Sequence, residues 1–254
     1  MTKTIKKTKD DNAIFMKMGM HFGHKKSRWH PSMAPYVFEK KNNVYIIDID
    51  KSKEKLAEAL ERLEQIYADG GEAIFIGTKP NAKGYLKVFC EENKLLYVND
   101  RWVGGIITNF TTIRKRLKRY QDLEDIKASA DYEKMTNKEK RPISKEIEKL
   151  SRVWRGLRLL SKLPKAIFLL DIPSNYLAIE EAAKKNLTVL AIADTDADIR
   201  KVDYPIPAND ESLLVVKYVL EEVKKAIEAG RSKIGAQPTE TTEKDQSKTK
   251  KSDN

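Results

Sequence analysis

The chain has 254 residues, 40% of them apolar and 34% charged, and its formal net charge is +11. This length supports a sizeable core in one or two domains, and the basic excess favours a polyanionic partner, either nucleic acid or an anionic membrane surface. The single cysteine, Cys90, excludes an internal disulfide, and its apolar helical surroundings favour a buried, unreactive thiol. The longest apolar stretch, residues 187–193, is too short to span a bilayer, and no signal or transit peptide is evident. We therefore expect a reducing, cytosolic compartment.

The basic excess is concentrated in two parts of the chain. Residues 1–50 carry a net charge of +5 and residues 110–162 carry +8, whereas residues 51–109 balance at zero and residues 163–230 carry −4. Such a distribution is typical of a binding face and not of an evenly basic protein.

The N-terminal part combines a tail with a compact basic segment. Residues 1–12 are polar and Lys-rich, which predicts a flexible tail, and residues 13–18 predict a short helix that ends at Gly19. The segment 20–31, MHFGHKKSRWHP, is too irregular in pattern for a helix or a strand. Aromatic rings stack on exposed bases and cations pair with phosphates. The candidate RNA contacts in this segment are therefore His21, His24, Lys25, Lys26, Arg28 and Trp29.

Two other interpretations of this segment are open. His21, His24 and His30 could form a metal site, but no cysteine or acidic residue is nearby in the sequence to complete the set, so we assign no metal. Alternatively, the segment is a basic loop whose aromatic rings only fill the core.

Strands and helices alternate from residue 36 onward. Two short apolar runs around Asn42 and Asn43 predict a β-hairpin, a helix follows from Lys51 to the Gly70-Gly71 pair, and residues 73–76 and 95–98 predict buried strands with a helix between them. The turn GTKPNAKG after the first strand lacks the spacing of a phosphate loop, so nucleotide hydrolysis is not indicated. Its backbone N–H groups and Lys79 remain a candidate anion contact.

The stretch 101–120, RWVGGIITNFTTIRKRLKRY, is where the pattern changes from strands to long charged helices. A tryptophan and an amide-rich glycine turn precede five basic residues among six, so we expect an anion-binding surface at this hinge. Trp29 and Trp102 either position the neighbouring Arg28 and Arg101 or lie wholly in the core. The candidate RNA contacts are Arg101, Trp102, Asn109, Arg114, Lys115, Arg116, Lys118 and Arg119.

Residues 110–162 predict a helical hairpin. Apolar residues recur at heptad spacing on both sides of a break near residues 128–135, which favours two antiparallel helices in a coiled-coil arm. Thr136 and Glu139 have the spacing of a capping box at the start of the second helix. Pro142 could not lie deep inside that helix without a kink, so the helix should begin between residues 136 and 142.

After the arm, strands at 166–170, 188–193 and about 202–206 alternate with helices at 175–185 and 211–228, which predicts an α/β fold with a parallel sheet covered on both faces. Asp194, Asp196 and Asp198 have the spacing of a calcium loop, but Ile199 and Pro205 occupy positions that need Gly and Glu, so we interpret the three aspartates as part of a strand-end loop.

The predicted domains are a core, an inserted arm, and two tails. Their limits are 1–12 for the basic tail, 13–109 and 163–230 for the core, 110–162 for the arm, and 231–254 for a disordered C-terminal tail.

Several of these segments together resemble the small-subunit ribosomal protein S2 family in its bacterial form. They are GMHFGHKKSRWHPSMAPYVF, VYIIDIDKS, AIFIGTK, VNDRWVGGIITNF, LPKAIFLLD and DTDADIRKVDYPIPANDES. The resemblance covers residues 13–230 in the family's order and leaves out only the tails.

The resemblance implies a flavodoxin-like doubly wound sheet with an inserted coiled-coil arm. It also implies a structural role in the cytoplasmic small ribosomal subunit without catalysis, cofactor or small-molecule substrate. The implied partners are small-subunit ribosomal RNA and neighbouring small-subunit proteins, which in many bacteria include the one that recruits messenger RNA. The arm points to a bacterial or organellar source.

Five positions depart from the family pattern. The family usually has Asn, Pro and Gly where this chain has Asp196, Ile199 and Ala208, so we expect a differently shaped loop there. Ser161 and Lys162 replace a Gly-Gly turn at the exit from the arm.

The alternative is a nucleotide-binding α/β module or an enzyme, because doubly wound sheets bind ligands where the strand order reverses. The sequence contains no dinucleotide fingerprint, phosphate loop, Ser-His-Asp set or Cys-His set, and a fold alone does not license an activity. A basic arm lying on a membrane is a weaker alternative, because its helices lack a large exposed apolar face.

Overall fold

The computed structural model describes residues 9–234. The helices are α1 (Lys9–Lys17), α2 (Ile49–Ala68), α3 (Pro80–Glu92), α4 (Phe110–Ala128), α5 (Ala130–Lys134), α6 (Asn137–Trp154), α7 (Tyr176–Lys184) and α8 (Leu213–Ile234). The strands are β1 (Phe22–Lys25), β2 (Val37–Lys41), β3 (Val44–Ile47), β4 (Ala73–Ile76), β5 (Leu96–Val98), β6 (Ala166–Leu169), β7 (Thr188–Ala193) and β8 (Tyr204–Pro207).

The larger sheet is parallel and has the order β5-β4-β6-β7-β8. Counted along the chain within this sheet, the order is 2-1-3-4-5, which is the flavodoxin-like order. The predicted α/β fold with a parallel sheet is thereby confirmed. None of the helices in residues 9–234 is long and apolar enough to cross a membrane.

Apolar layers cover both faces of this sheet. Side chains alternate along a strand, so Phe75 joins the layer formed with α2, α3 and α8, while its neighbour Ile74 joins the layer that contains α7 and the roots of α4 and α6. Phe168 and Ile167 divide in the same way on β6. This two-sided burial explains why the strands are continuous apolar runs without alternation.

The smaller sheet is antiparallel and has the order β1-β3-β2. Asn42 and Asn43 have φ angles of 47° and 67°, so the predicted hairpin turn is confirmed. The expectation that residues 20–31 form neither helix nor strand is wrong, because β1 pairs with β3 and short 3₁₀ turns follow. Pairing with β3 gives this segment backbone hydrogen bonds that its irregular side-chain pattern does not reveal.

Helices α4, α5 and α6 lie between β5 and β6 in the chain. Leu117 of α4 and Trp154 of α6 belong to the same buried cluster as Val98 of β5, so the roots of both helices pack on the sheet. The second long helix begins at residue 137, inside the predicted interval, and the carboxylate of Glu139 accepts the backbone N–H of Thr136 at 2.8 Å.

The ends of the described range bear on the predicted tails. Helix α8 continues to Ile234, so the first four residues of the predicted C-terminal tail are helical. Gly230 packs closely on α2, and Lys233 pairs with Glu64 of α2 at 2.6 Å. Helix α1 begins at Lys9, within the predicted N-terminal tail. Residues 1–8 and 235–254 of the predicted tails lie outside the described range.

One buried carboxylate holds the turn between the sheet and α4. Glu181 of α7 accepts hydrogen bonds from the indole of Trp102 at 3.2 Å and from the backbone N–H groups of Gly105, Ile107 and Thr108 at 2.6, 3.1 and 3.1 Å. The hydroxyl of Thr108 donates a further bond at 3.1 Å. The φ angle of Gly105 is +96°, which only glycine adopts without strain. This carboxylate therefore sets the direction in which α4 leaves the sheet.

Replacing Glu181 with Gln should destabilise the protein by about 2–4 kcal/mol, because an amide nitrogen would face buried N–H donors in place of an acceptor. The measurement is urea unfolding followed by the near-ultraviolet dichroism of the buried Trp102. The matched control is Glu180→Gln, since the neighbouring carboxylate lies at the surface 3.4 Å from Lys201. Equal unfolding free energies for the two variants would contradict this role for Glu181.

The same carboxylate should make stability depend on pH. Burial raises the pKa of Glu181, but the hydrogen bonds from Gly105, Thr108, Ile107 and Trp102 outweigh burial and hold the pKa below its ordinary 4.5. A lowered pKa gives a stabilising contribution that is present above the unfolded pKa and is lost as the pH falls through the folded one. The difference in unfolding free energy between wild type and Glu181→Gln should therefore shrink from about pH 6 to about pH 3. A difference that grows over this range would contradict the assignment.

Candidate nucleic-acid interface

The basic residues of α4 divide between two faces of the helix. Ile113 and Leu117 point into the core, which turns Arg114, Lys115 and Lys118 outward. These three cations line one surface groove of about 870 Å³, together with Arg158, Asp122 and Asp125. A groove lined by four cations and two carboxylates remains net positive.

Arg116 and Arg119 are exposed on α4 outside this groove. The guanidinium of Arg119 donates two hydrogen bonds to the carboxylate of Glu146 on α6, both at 3.1 Å. The pair raises the pKa of Arg119 through hydrogen bonding and the charge of Glu146. Arg119 therefore joins the two helices, whereas Arg116 makes no hydrogen bond or ion pair with other residues in the range 9–234.

A second basic cleft lies beside Arg101, which is exposed at the carboxyl end of β5. Lys83 and Lys87 of α3 line this cleft of about 410 Å³, as do Arg152 and Arg155 from the end of α6. Sequence reasoning missed these four residues, because each pair has the spacing of an ordinary solvated helix face. Only the packing of α3 against the turn that follows α6 brings the two pairs to Arg101.

The amide-rich turn is occupied by the chain itself. The backbone N–H groups of Gly105, Ile107 and Thr108 donate to the buried carboxylate of Glu181. At this hinge, where we expect an anion-binding surface, the exposed cations of α4 and not the amides of the turn are therefore open to an external anion. Trp102 is only 6% exposed, so it positions the turn from within the core, whereas Asn109 is exposed immediately before α4.

The basic segment around β1 presents three cations to solvent. Lys25, Lys26 and Arg28 are exposed, and the half-buried ring of Trp29 stacks on Tyr45 with ring centroids 5.2 Å apart. His21 lies against Phe22, with ring centroids 4.0 Å apart, and burial lowers its pKa.

His24 points away from these cations, toward carboxylates. Its Nδ1 atom lies 3.1 Å from Asp194, and its Nε2 atom lies 3.2 Å from Glu211 and 3.7 Å from Asp196. The hydrogen bond with Asp194, together with the nearby carboxylate charges, outweighs burial and raises the pKa of His24 to about 9. No acidic residue lies near His24 in the sequence. In the folded chain, however, the loops after β7 and β8 bring three carboxylates to it.

Lys79 is also paired within the chain. Its ammonium lies 2.6 Å from Oδ1 of the buried Asp210, whose pKa is raised by burial to about 7. Lys79, which the sequence predicts as an anion contact, is therefore paired with a carboxylate of its own chain. Beside it, at the reversal of strand order between β4 and β6, the hydroxyl of Thr78 donates to Asn175 at 3.3 Å. The crevice in which flavodoxin-like sheets bind ligands is thus filled by polar side chains of this chain.

Comparison with known proteins agrees with these observations. The sequence profile of the family described as ribosomal protein S2 matches residues 15–230. The chain is 40% identical over 223 residues to the small ribosomal subunit protein uS2 of Fusobacterium nucleatum subsp. nucleatum, and the match covers 86% of this chain and 89% of that protein. The profile spans nearly all of the described residues 9–234, including those of the basic groove and cleft. The chain belongs to the ribosomal protein S2 family.

Proposed function

We propose that this chain is a structural constituent of the small ribosomal subunit and binds ribosomal RNA through its basic groove and cleft. The observation that carries the proposal is that exposed cations from separate elements converge at these two places. Arg152, Arg155 and Arg158 also contact carboxylates of this chain there, at 2.9, 3.0 and 3.5 Å, but their side chains remain more than half exposed. Membership of the ribosomal protein S2 family supports the same function.

Recognition would depend on the RNA backbone more than on base sequence. Lysine and arginine at phosphates release counterions, so affinity should fall steeply as salt rises. Arg114 and Lys118 stand one helical turn apart on α4, which lets both contact one phosphate run. The half-buried ring of Trp29 beside Arg28 could receive one splayed base, whereas the indole of Trp102 lies within the core.

The finer architecture belongs to the same proposal. We infer that residues 110–162 form a coiled-coil arm inserted into a core of residues 13–109 and 163–230. The Arg119–Glu146 contact between α4 and α6 supports an antiparallel pair, as does the burial of Leu117 and Trp154. The arm would carry basic side chains to RNA while its root stays in the core.

Neighbouring small-subunit proteins are the second class of partner. Phe22 and Phe38 are 50% and 70% exposed on the antiparallel sheet, where they line an apolar hollow with Met16 of α1. Exposed rings of this size rimmed by charged residues favour contact with a protein. The family resemblance implies that the protein that recruits messenger RNA is one such partner.

The polar side chains in the ligand crevice favour a non-enzymatic role over the alternative of a nucleotide-binding module. The carboxylate and the backbone carbonyl of Asp171 accept hydrogen bonds from Asn175 at 2.9 and 3.2 Å, and Asn175 in turn accepts from Thr78. A nucleotide would have to break these buried bonds to enter. If equilibrium dialysis with ATP and GTP shows saturable binding, the alternative gains over the proposal.

Reversing the charge of Arg114, Arg116, Lys118 and Arg119 should reduce incorporation into the small subunit while the domain stays folded. A sharper test is the double variant Arg114→Glu with Lys118→Glu, which should lower the salt slope of RNA affinity by about 2. The matched control is Lys184→Glu with Lys185→Glu, an equal charge change on exposed residues outside the groove. Occupancy is measured by sucrose-gradient sedimentation of subunits, and wild-type occupancy of the groove variant would remove the groove from the proposal.

The cleft can be tested separately from the groove. Lys87→Ala with Arg152→Ala should weaken binding to small-subunit RNA about uniformly across RNA sequences, because phosphate contacts carry no sequence information. The measurement is affinity at several salt concentrations for two RNA fragments of different sequence. An effect restricted to one fragment would indicate base recognition and contradict this assignment.

A further inference from the structure

We propose that His24, Asp194 and Asp196 form a binding site for one divalent metal ion, best suited to Zn²⁺, with Glu211 at its open side. One donor atom from each of the first three residues lies within 4.8 Å of the others. An imidazole nitrogen with carboxylate oxygens is a donor set that zinc accepts, with Zn–N and Zn–O bonds of about 2.0–2.2 Å.

The donors lie close enough together to be drawn around one ion. Nδ1 of His24 lies 3.1 Å from Asp194, and Nε2 lies 3.2 Å from Glu211 and 3.7 Å from Asp196. A single ion binds only one ring nitrogen of His24, because the two nitrogens point to different sides of the ring. The donor atoms of His24, Asp194 and Asp196, which lie within 4.8 Å of one another, therefore have to draw together around that nitrogen when the ion binds.

Two polar atoms of the cluster are buried and poorly satisfied. The side chain of His24 is 10% exposed and that of Asp194 is 1% exposed. Within the described part of the chain, Oδ1 of Asp196 finds no hydrogen-bond partner, and the polar contact of Nδ1 of His24 is the one to Asp194 at 3.1 Å. Buried polar atoms are rarely left unpaired, and a cation bound among them would satisfy both kinds of donor.

The backbone holds these residues together before any ion binds. The N–H of His24 donates to the hydroxyl of Thr195 at 2.7 Å, and the N–H of His30 donates to the carbonyl of Thr195 at 2.9 Å. Thr195 follows Asp194 at the end of β7, so these bonds fix β1 against the loop that carries both carboxylates. A preformed site needs little reorganisation on binding.

The charges of the cluster favour a divalent ion. Asp194 and Asp196 lie close together and repel each other, and Glu211 adds a third negative charge. Lys79, whose charge also acts on Asp196, is already paired with Asp210 at 2.6 Å. A bound ion would tie β1, which ends in the exposed Lys25, to the parallel sheet, and would act as a structural staple.

The experiment uses the untagged full-length chain, freed of metal by chelation. Calorimetric titration with zinc chloride should show one saturable site per chain, and zinc should raise the melting temperature. Asp196→Asn, which preserves shape, should weaken zinc binding at least about tenfold. The matched control is Asp198→Asn in the same loop, because Asp198 pairs with Arg200 outside the cluster, and it should bind zinc like the wild type.

Three outcomes would overturn the proposal. They are an absence of saturable zinc binding, equal zinc affinity of the wild type and Asp196→Asn, and an equal loss in Asp198→Asn. Magnesium chloride should bind far more weakly than zinc, because an imidazole ligand disfavours magnesium. Magnesium affinity equal to that of zinc would exclude His24 as a ligand and overturn the site as stated. His24→Gln gives an independent check, since it should lose zinc binding while circular dichroism shows a folded chain.

Discussion

The buried carboxylate of Glu181 is the contact on which the binding surface depends. It gathers the indole of Trp102 and three backbone N–H groups of the turn, so the chain leaves the parallel sheet in one direction only. Because α4 starts from this fixed turn, its apolar side meets the sheet at Leu117 and its cations face outward. A turn whose amides served an external anion would lack this internal anchor.

The carboxyl edge of the parallel sheet has been closed by the chain's own side chains. In this fold that edge usually receives a ligand, but here Lys79 pairs with Asp210, Thr78 bonds to Asn175, and His24 lies among carboxylates. Cations exposed for a partner lie on α4, in the cleft beside Arg101 and in the segment around β1. The architecture of a nucleotide-binding fold is thereby compatible with a role that depends on its outer surface.

Local patterns predicted the elements that are governed by local physics. The strands at 73–76 and 188–193 agree with the structure to the residue, because a strand buried on both faces must be a continuous apolar run bounded by turn residues. Asn42 and Asn43 take the left-handed conformation that marked the hairpin, and α6 begins one residue after Thr136. The cations of α4 were also recognised, since an exposed basic stripe between apolar residues is visible in one helix.

The α/β alternation, the helices between residues 110 and 154 and the basic stripe of α4 could be predicted from the sequence, because each depends on residues only a few positions apart. The strand β1, the place of Glu181 in the amide turn, the basic cleft and the His24 cluster became visible only in the folded chain. Glu181 and Trp102 are 79 positions apart, and His24 and Thr195 are 171 apart. Contacts between residues far apart in the chain produce no periodic pattern in the sequence, because the order and packing of the strands determine which residues meet.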